Sequence, residues 1–215
     1  MPTISAIVPT LDEAARLPAL LARLREEVDE VVVSDGGSVD GTLSAAEGAT
    51  RVTHARGRGP QLHAGALAAT GDIFWVLHAD ATVPVGAGAA LRAARTPWGC
   101  FATRLDDPDP RLRWTGFVMT QRARRTGSCT GDMGMWMRRE LYTTLGGFPA
   151  LSAFEDLEFA ERARAHPWSV LKPALGTSAR RWRARGINRT IARFLALRAA
   201  WRFGVSPTGL ARFVG

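Results

Sequence analysis

Short apolar strand signals alternate with helical signals through the first half of the chain, and each apolar run ends in a polar residue. Ile4 to Pro9 is rich in β-branched residues and exits at Thr10. Val31-Val32-Val33 exits into Ser34-Asp35-Gly36-Gly37, and Ile73 to Leu77 exits into His78-Ala79-Asp80. Between these runs, Leu17, Leu20, Leu21, Leu24 and Val28 recur at helical spacing. Thr42 to Ala49 predicts a short helix, Arg51 to Ala55 a third strand, and Gly59-Pro60 opens a helix through Ala69. Near-continuous apolar strands separated by helices require a mostly parallel sheet covered on both faces. Ligands of such sheets bind beyond the carboxyl ends of the strands. Thr10, Asp35 and Asp80 at successive exits are therefore candidate site residues on physical grounds alone.

The second half is less regular. Asp106 to Pro110 reads as a loop, and Leu112 to Arg124 as a helix. Met133 to Met137 reads as a strand, followed by a helix to Leu145 and a turn at Gly146-Gly147. Glu155 to Ala165 is a helix with an acidic start, and Ser169 to Trp182 holds a short strand and a polar stretch. The chain divides into a ligand-binding half (1–105), a second half of the same domain (106–182) and basic C-terminal helices (183–215). A length of 215 residues suits one well-buried α/β domain.

The net charge of +8 is uneven: no acidic residue follows Glu161. Such a basic C-terminal quarter suits a diphosphate, an anionic lipid surface or a nucleic acid. No RNA- or DNA-binding motif accompanies the charge, so nucleic acid is not an expected partner. On a helical wheel from Ile187, residues Ile191, Phe194, Leu195 and Trp201 share a face with Arg198 and Arg202. That face is either an interfacial helix with snorkelling arginines or a buried face whose arginines meet an anion. The opening residues carry no basic region, and no apolar run approaches the roughly 18 residues of a spanning helix. The expectation is a cytoplasmic protein, with peripheral contact at the inner face of an anionic membrane. Cys100 and Cys129 sit in no metal-binding pattern and are expected to be reduced thiols.

Four local patterns carry chemistry. Asp35 to Thr42 (Asp-Gly-Gly-Ser-Val-Asp-Gly-Thr) follows a strand and opens a helix. Its Asp40 is an ordinary cap, whereas Asp35 can accept from a base or ribose. Gly57-Arg58-Gly59-Pro60 before a helix is a candidate phosphate cradle, without the Gly-Lys-Ser/Thr ending of a Walker loop. His78-Ala79-Asp80 can offer hard ligands to Mg2+ or Mn2+; the bland alternative is a surface turn. Glu155-Asp156 either compensates a helix dipole or supplies a general base.

Together these patterns resemble glycosyltransferase family 2, the GT-A group. Val8 to Glu13 is similar to the family's opening strand and turn, Ser34 to Thr42 to its acidic turn, and Gly59 to Asp72 to the helix that follows. His78-Ala79-Asp80 stands where an Asp-x-Asp motif belongs, and Gly146-Gly147-Phe148 with Glu155-Asp156 resembles the acceptor half. The short length, the His-Ala-Asp variant and Ser178 to Trp182 most resemble the small bacterial subgroup named for arsenosugar biosynthesis.

The resemblance implies a GT-A (Rossmann-like) α/β domain with helices flanking a mostly parallel sheet. It also implies an inverting, metal-assisted sugar transfer from a nucleotide-sugar, UDP-linked, to an acceptor hydroxyl. It places Pro9, Thr10, Glu13 and Asp35 at the nucleotide, with Asp35 on the uracil edge. Arg58 and Gly59 would lie by the diphosphate, and His63 and His78 on the nucleotide side. Asp80 would bind Mn2+ or Mg2+, and Asp156 would act as base beside Glu155. Arg181 and Trp182 would meet the leaving diphosphate or the acceptor. Asp132 and Arg124 are candidates for acceptor choice.

The departures are His78 for the first Asp of the metal motif, His63 for a frequent Asn, Gly36 for a second Asp and Ser178 for Gln. The rival readings are a sugar-phosphate nucleotidyltransferase, which would need a Gly-rich opening turn, and a basic nucleic-acid-binding protein. Sugar, acceptor and oligomeric state stay open.

Overall fold

The computed structural model describes residues 1–54, 56–151 and 154–205. Strand β1 (Ile4–Thr10) is buried along its whole length. It lies between β2 (Glu30–Asp35) and β4 (Ile73–Val76), parallel to both, and β2 pairs in parallel with β3 (Thr50–Thr53). Strand side chains alternate between faces, and that alternation builds two cores. Ile4, Ala6 and Val8 enter one, with Leu17, Leu20, Leu21 and Leu24 of α1 (Leu17–Leu24). Ile7 enters the other, with Leu62 and Ala66 of α3 (Arg58–Ala68). Burying each such leucine contributes about 1.5–3 kcal/mol, so both faces are covered at a gain.

The sheet then passes from β4 to β7 (Trp136–Arg138) and β6 (Trp98–Asp106), both steps antiparallel. From β6 it continues in parallel to β8 (Trp168–Ser178), and β5 (Ala81–Thr82) closes the edge antiparallel to β8. The order is β3-β2-β1-β4-β7-β6-β8-β5, one sheet running through both halves of the chain. Around it stand α2 (Thr42–Ala45), α4 (Ala87–Ala93), α5 (Pro110–Thr126), α6 (Arg139–Thr144), α7 (Glu155–Ala163), α8 (Arg180–Arg185) and α9 (Ile187–Arg202).

Several elements differ from expectation. The span between Asp80 and Asp106, given no regular element by the sequence, holds α4 and β6. The strand expected at Met133 starts later, because Gly131–Met133 is a 3-10 turn. The polar stretch from Ser169 is an 11-residue strand. Lys172 and Pro173 hide it, since proline cannot donate to a ladder. The chain accommodates them in a bulge, where pairing jumps from Phe101–Leu171 to Thr103–Leu175. The helix expected to reach Ala49 stops at Ala45. The third strand was expected to reach Ala55, which lies outside the described residues, as do the side chains of Trp201 and Arg202. No helix among the described residues is long and apolar enough to cross a membrane. Cys100 and Cys129 are free and buried.

Glu27 fastens α1 to α4. Its carboxylate accepts from the amides of Gly86 (2.9 Å) and Gly88 (2.8 Å) and from Arg23. Burial raises its pKa, but these donors outweigh burial and hold it below the ordinary glutamate value of 4.5. The folded pKa is the lower one, so the stabilisation is complete above about pH 4.5 and fades as pH falls through the folded value. Glu27→Gln should lower stability by roughly 1–2 kcal/mol at pH 7. Urea melts at pH 7 and pH 3.5 should show the gap between variant and wild type shrinking in acid; a gap that widened would contradict this role.

Candidate active site

The first two strand exits are laced together. Thr10 and Asp35 are register partners at the ends of β1 and β2. Asp35 is fully buried and accepts from Thr10 Oγ1 (3.0 Å), Gly37 N (2.9 Å), Ser38 N (2.8 Å) and Ser38 Oγ. Burial opposes its charge, but those donors hold the carboxyl below its usual range. The turn after β1 is tied to the turn after β2 through Glu13 N to Thr42 Oγ1 (2.8 Å) and Ala14 N to Asp40 Oδ2 (3.0 Å). Glu13 also pairs with Arg16 at 2.6 Å.

A residue the sequence reading passed over locks this corner. Gln61 on α3 is buried and donates through Nε2 to Thr10 O (2.8 Å) and Ser34 O (2.9 Å). It explains the glycine at 36, because a Cβ there would lie 2.9 Å from Gln61 Nε2. The signal was present as one amide on an otherwise apolar, sheet-facing helix surface.

The second cluster forms where β4, α3, α7 and the 3-10 turn meet. Asp156, in the first turn of α7, accepts from Gly131 N through Oδ2 (2.8 Å) and from Leu157 N through Oδ1 (2.7 Å). Gly131 packs against His78: a Cβ would stand 2.9 Å from His78 Nε2. Phe154, just before α7, holds a left-handed φ of 65°, the kind of strained conformation that gathers at functional sites. Arg58 on the first residue of α3 meets Glu155 at 3.2 Å.

Their charges act on one another. Burial lowers the His78 pKa, reinforced by Arg58 and opposed by Asp132, Asp80 and Asp156, so the imidazole is neutral at pH 7. Burial also opposes the Arg58 charge, yet Glu155, Asp156 and Asp132 outweigh it and raise its pKa. Glu155 is pushed up to about 8 by burial and by Asp156, which together exceed the pull of Arg58. Its Oε2 is buried without a partner. Near neutral pH, Glu155 therefore holds a proton, and the Arg58 charge is left for another anion.

A family model described as glycosyl transferase family 2 matches residues 5–96. An uncharacterized glycosyltransferase of Mycobacterium tuberculosis is 31% identical over 180 residues, covering 79% of this chain and 82% of that protein. A Mycobacterium bovis protein, also named an uncharacterized glycosyltransferase, matches to the same extent. The chain belongs to glycosyl transferase family 2. By that membership it is a transferase. Among solved structures, the mannosyltransferase PcManGT of Pyrobaculum calidifontis, in complex with GDP-Man and Mn2+, is similar with a TM-score of 0.63 and 26% identity. That match covers 82% of this chain, which spans little more than half, 56%, of the mannosyltransferase. Glucosyl-3-phosphoglycerate synthase of Mycobacterium tuberculosis, in complex with Mn2+, UDP and glucosyl-3-phosphoglycerate, shares the fold, with a TM-score of 0.55 at 22% identity over 75% of this chain and 65% of its own. The fold of this family 2 transferase is the GT-A α/β fold.

The fold thus gathers Arg58, His78, Asp80, Asp132, Glu155 and Asp156 into one electrostatic group. Thr10, Pro9, Asp35 and Glu13 stand at the neighbouring exits. Other expected site residues lie elsewhere or are already engaged. His63 Nδ1 is 2.8 Å from the Tyr142 hydroxyl. Trp182 sits in a satellite core with Leu105, Leu112 and Ile187, its ring centroid 5.4 Å from that of Phe194. Arg181 and Arg124 are exposed. The Gly57 amide bonds Gln61 Oε1 (3.3 Å), the Gly59 amide bonds Leu151 O (2.9 Å), and Pro60 has no N–H. Anion binding at that turn therefore falls to the Arg58 guanidinium more than to the backbone. A base contact by Asp35 would have to displace one of its present donors.

The donor set suits a hard cation. Among the described residues no three His, Cys, Asp or Glu side chains form a ready-made metal cluster. Mg2+ and Mn2+ sites completed by substrate phosphate need only one or two carboxylates, and Asp80 with neutral His78 beside it meets that requirement.

Because the Glu155 pKa is raised from 4.5 to about 8, the unfolded chain loses this proton first, and the residue weakens the fold progressively between those pH values. Glu155→Gln removes that penalty. Thermal melts should show the variant gaining stability over wild type as pH rises from 5 to 8. Equal melting curves across that range would contradict the raised pKa.

Proposed function

We propose that this enzyme moves a sugar from a nucleotide-diphosphate donor, UDP-linked, to an acceptor hydroxyl by a single inverting displacement. The observation that carries the reading is the buried Asp156 carboxylate, aimed by two backbone amides, in one charge group with Arg58, Asp80 and His78. Asp156 takes the acceptor proton. Arg58 balances the charge that develops on the departing diphosphate, and protonated Glu155 leaves that guanidinium available. Neutral His78 offers the ribose a hydrogen-bonding partner that demands no counter-charge. Asp35 fixes the turn beside which the base lies, with Pro9, Thr10 and Glu13 around it. A divalent cation held by Asp80 supplies Lewis-acid stabilisation of the diphosphate oxygens when bound.

The ligands bound in the two solved relatives, a nucleotide or nucleotide-sugar with Mn2+, support this class of donor and cofactor. Within the family, the His78-Ala79-Asp80 variant and Ser178 to Trp182 support the subgroup named for arsenosugar biosynthesis. We place the protein in the cytoplasm, peripheral to the inner membrane face. The basic stretch after Glu161 and the exposed Phe194 and Leu195 support that placement.

A panel of nucleotide-sugars with Mn2+ or Mg2+, read by slow donor hydrolysis, tests the reading without an acceptor. Asp156→Asn should lower transfer by roughly 10²–10⁴-fold while UDP affinity, read by calorimetry, stays nearly constant. Parallel loss of both would remove Asp156 from the base role. Asp80→Ala should raise the metal concentration needed for half-maximal hydrolysis at least tenfold. A wild type indifferent to a chelator would defeat the metal assignment.

A further inference from the structure

Among the described residues, two arginines outside the group described above are half-buried without an ionic partner. α5 and α9 pack side by side through Leu112, Ile187 and Ile191, with Arg111 reaching Asn188 at 3.3 Å. Further along both helices, Arg122 and Arg198 converge on Ser128. Arg122 Nη2 lies 3.5 Å from the Ser128 carbonyl and 3.8 Å from Met133 Sδ, and Arg198 donates to the Ser128 hydroxyl. Among the described residues neither arginine forms an ion pair, whereas Arg111, Arg162 and Arg183 all do. Arg122 Nε is buried with no partner at all. Burial pushes the Arg198 pKa down to about 10, and the like charge of Arg122 adds to the effect. Two adjacent guanidiniums in this state are unfavourable unless an anion completes them.

The location limits which anion. Asp132 and Asp156 are the carboxylates whose charge acts on Arg198. Ser128 is three residues from Gly131, whose amide holds Asp156, so the chain between them spans at most about 11 Å. Arg58 feels Asp132 and Asp156 as well, and in addition acts on His78, the residue that also feels Asp80. All three guanidiniums therefore border the base, and Arg58 is the one tied to His78. Two unpaired positive charges in fork geometry match a phosphate monoester, of charge near −2, better than a single carboxylate.

We propose that Arg122 and Arg198, with Ser128 between them, bind a phosphate group carried by the acceptor and so present its hydroxyl to Asp156. This rests on Asp156 acting as the base. The acceptor oxygen forms the new bond to the anomeric carbon as the bond to the diphosphate breaks. The electron pair leaves with the nucleoside diphosphate, the proton goes to Asp156, and the acceptor phosphate is retained.

The test titrates inorganic phosphate into the full chain saturated with UDP and Mg2+, by calorimetry. Saturable binding is expected, weakened at least tenfold in Arg198→Ala and partly restored in Arg198→Lys. Arg198→Met keeps the packing should the alanine variant melt early. Phosphate binding that UDP abolishes would assign the pair to the donor diphosphate and overturn the proposal. So would binding that survives Arg198→Ala unchanged. UDP binding measured without phosphate tests the donor reading separately: its absence, with phosphate still bound, would sink that reading and leave the subsite standing. Competition by glycerol phosphate identifies a soluble acceptor, and competition only by phosphatidic acid vesicles a lipid one. Competition by neither overturns the phosphate monoester.

Discussion

The hydrogen bond from Gly131 N to Asp156 Oδ2, 2.8 Å long, joins the loop after α5 to the first turn of α7. The second carboxylate oxygen is held by the Leu157 amide. Main-chain groups therefore set the direction of this side chain, and among the described residues no cation forms an ion pair with it. His78 closes over Gly131 so tightly that a side chain at 131 would collide with its imidazole. Carboxylate, imidazole and loop form one packed unit, and the strained Phe154 delivers α7 into it. A carboxylate positioned this way needs no rearrangement as an acceptor approaches, which is the condition for efficient proton transfer.

The first half was legible because its strands are buried on both faces. Such strands must be apolar runs, and their exits are where polarity returns, so Thr10, Asp35 and the His78–Asp80 turn could be read directly. Glu155 and Asp156 were legible as an acid pair at a helix start. The rest depended on packing that leaves no periodic trace. β8 is broken in appearance by Lys172-Pro173, although the ladder resumes beyond its bulge. The contact of His63 with Tyr142 and the place of Trp182 in the satellite core are announced by no pattern in the sequence. Arg122 was hidden by number, and Arg198 was visible only as one arginine on a face with two readings. With one lysine among 28 basic residues, arginine identity carries no information until burial separates the few that matter.

Burial also divides the positive charge by task. Arg183 answers Asp107 and Arg111 answers Asp109, at half-exposed sites where ion pairs contribute little to stability. Arg58 answers a glutamate that burial keeps protonated near pH 7, so its nominal partner neutralises it only in part. Arg122 and Arg198 answer no carboxylate at contact distance. Unbalanced positive charge therefore reaches Asp156 from two separate arginine groups. A reaction that brings a diphosphate to one group and an anionic acceptor to the other has use for that arrangement, because each ligand would neutralise its own group.

The C-terminal helix follows from the same reasoning. Were α9 only an interfacial helix, its arginines would reach outward and its apolar side chains would lie against lipid. Instead Arg198 turns inward to Ser128 and Ile187 is buried with Leu112, while Phe194 and Leu195 remain exposed. The helix faces two ways. Its inner face brings Arg198 to the loop after α5, whereas the exits of β1, β2 and β4 supply polar turns and carboxylates. Arg58 is a first-half cation near Asp132 and Asp156, and the acid-free stretch beyond Glu161, where basic residues are most concentrated, adds Arg198.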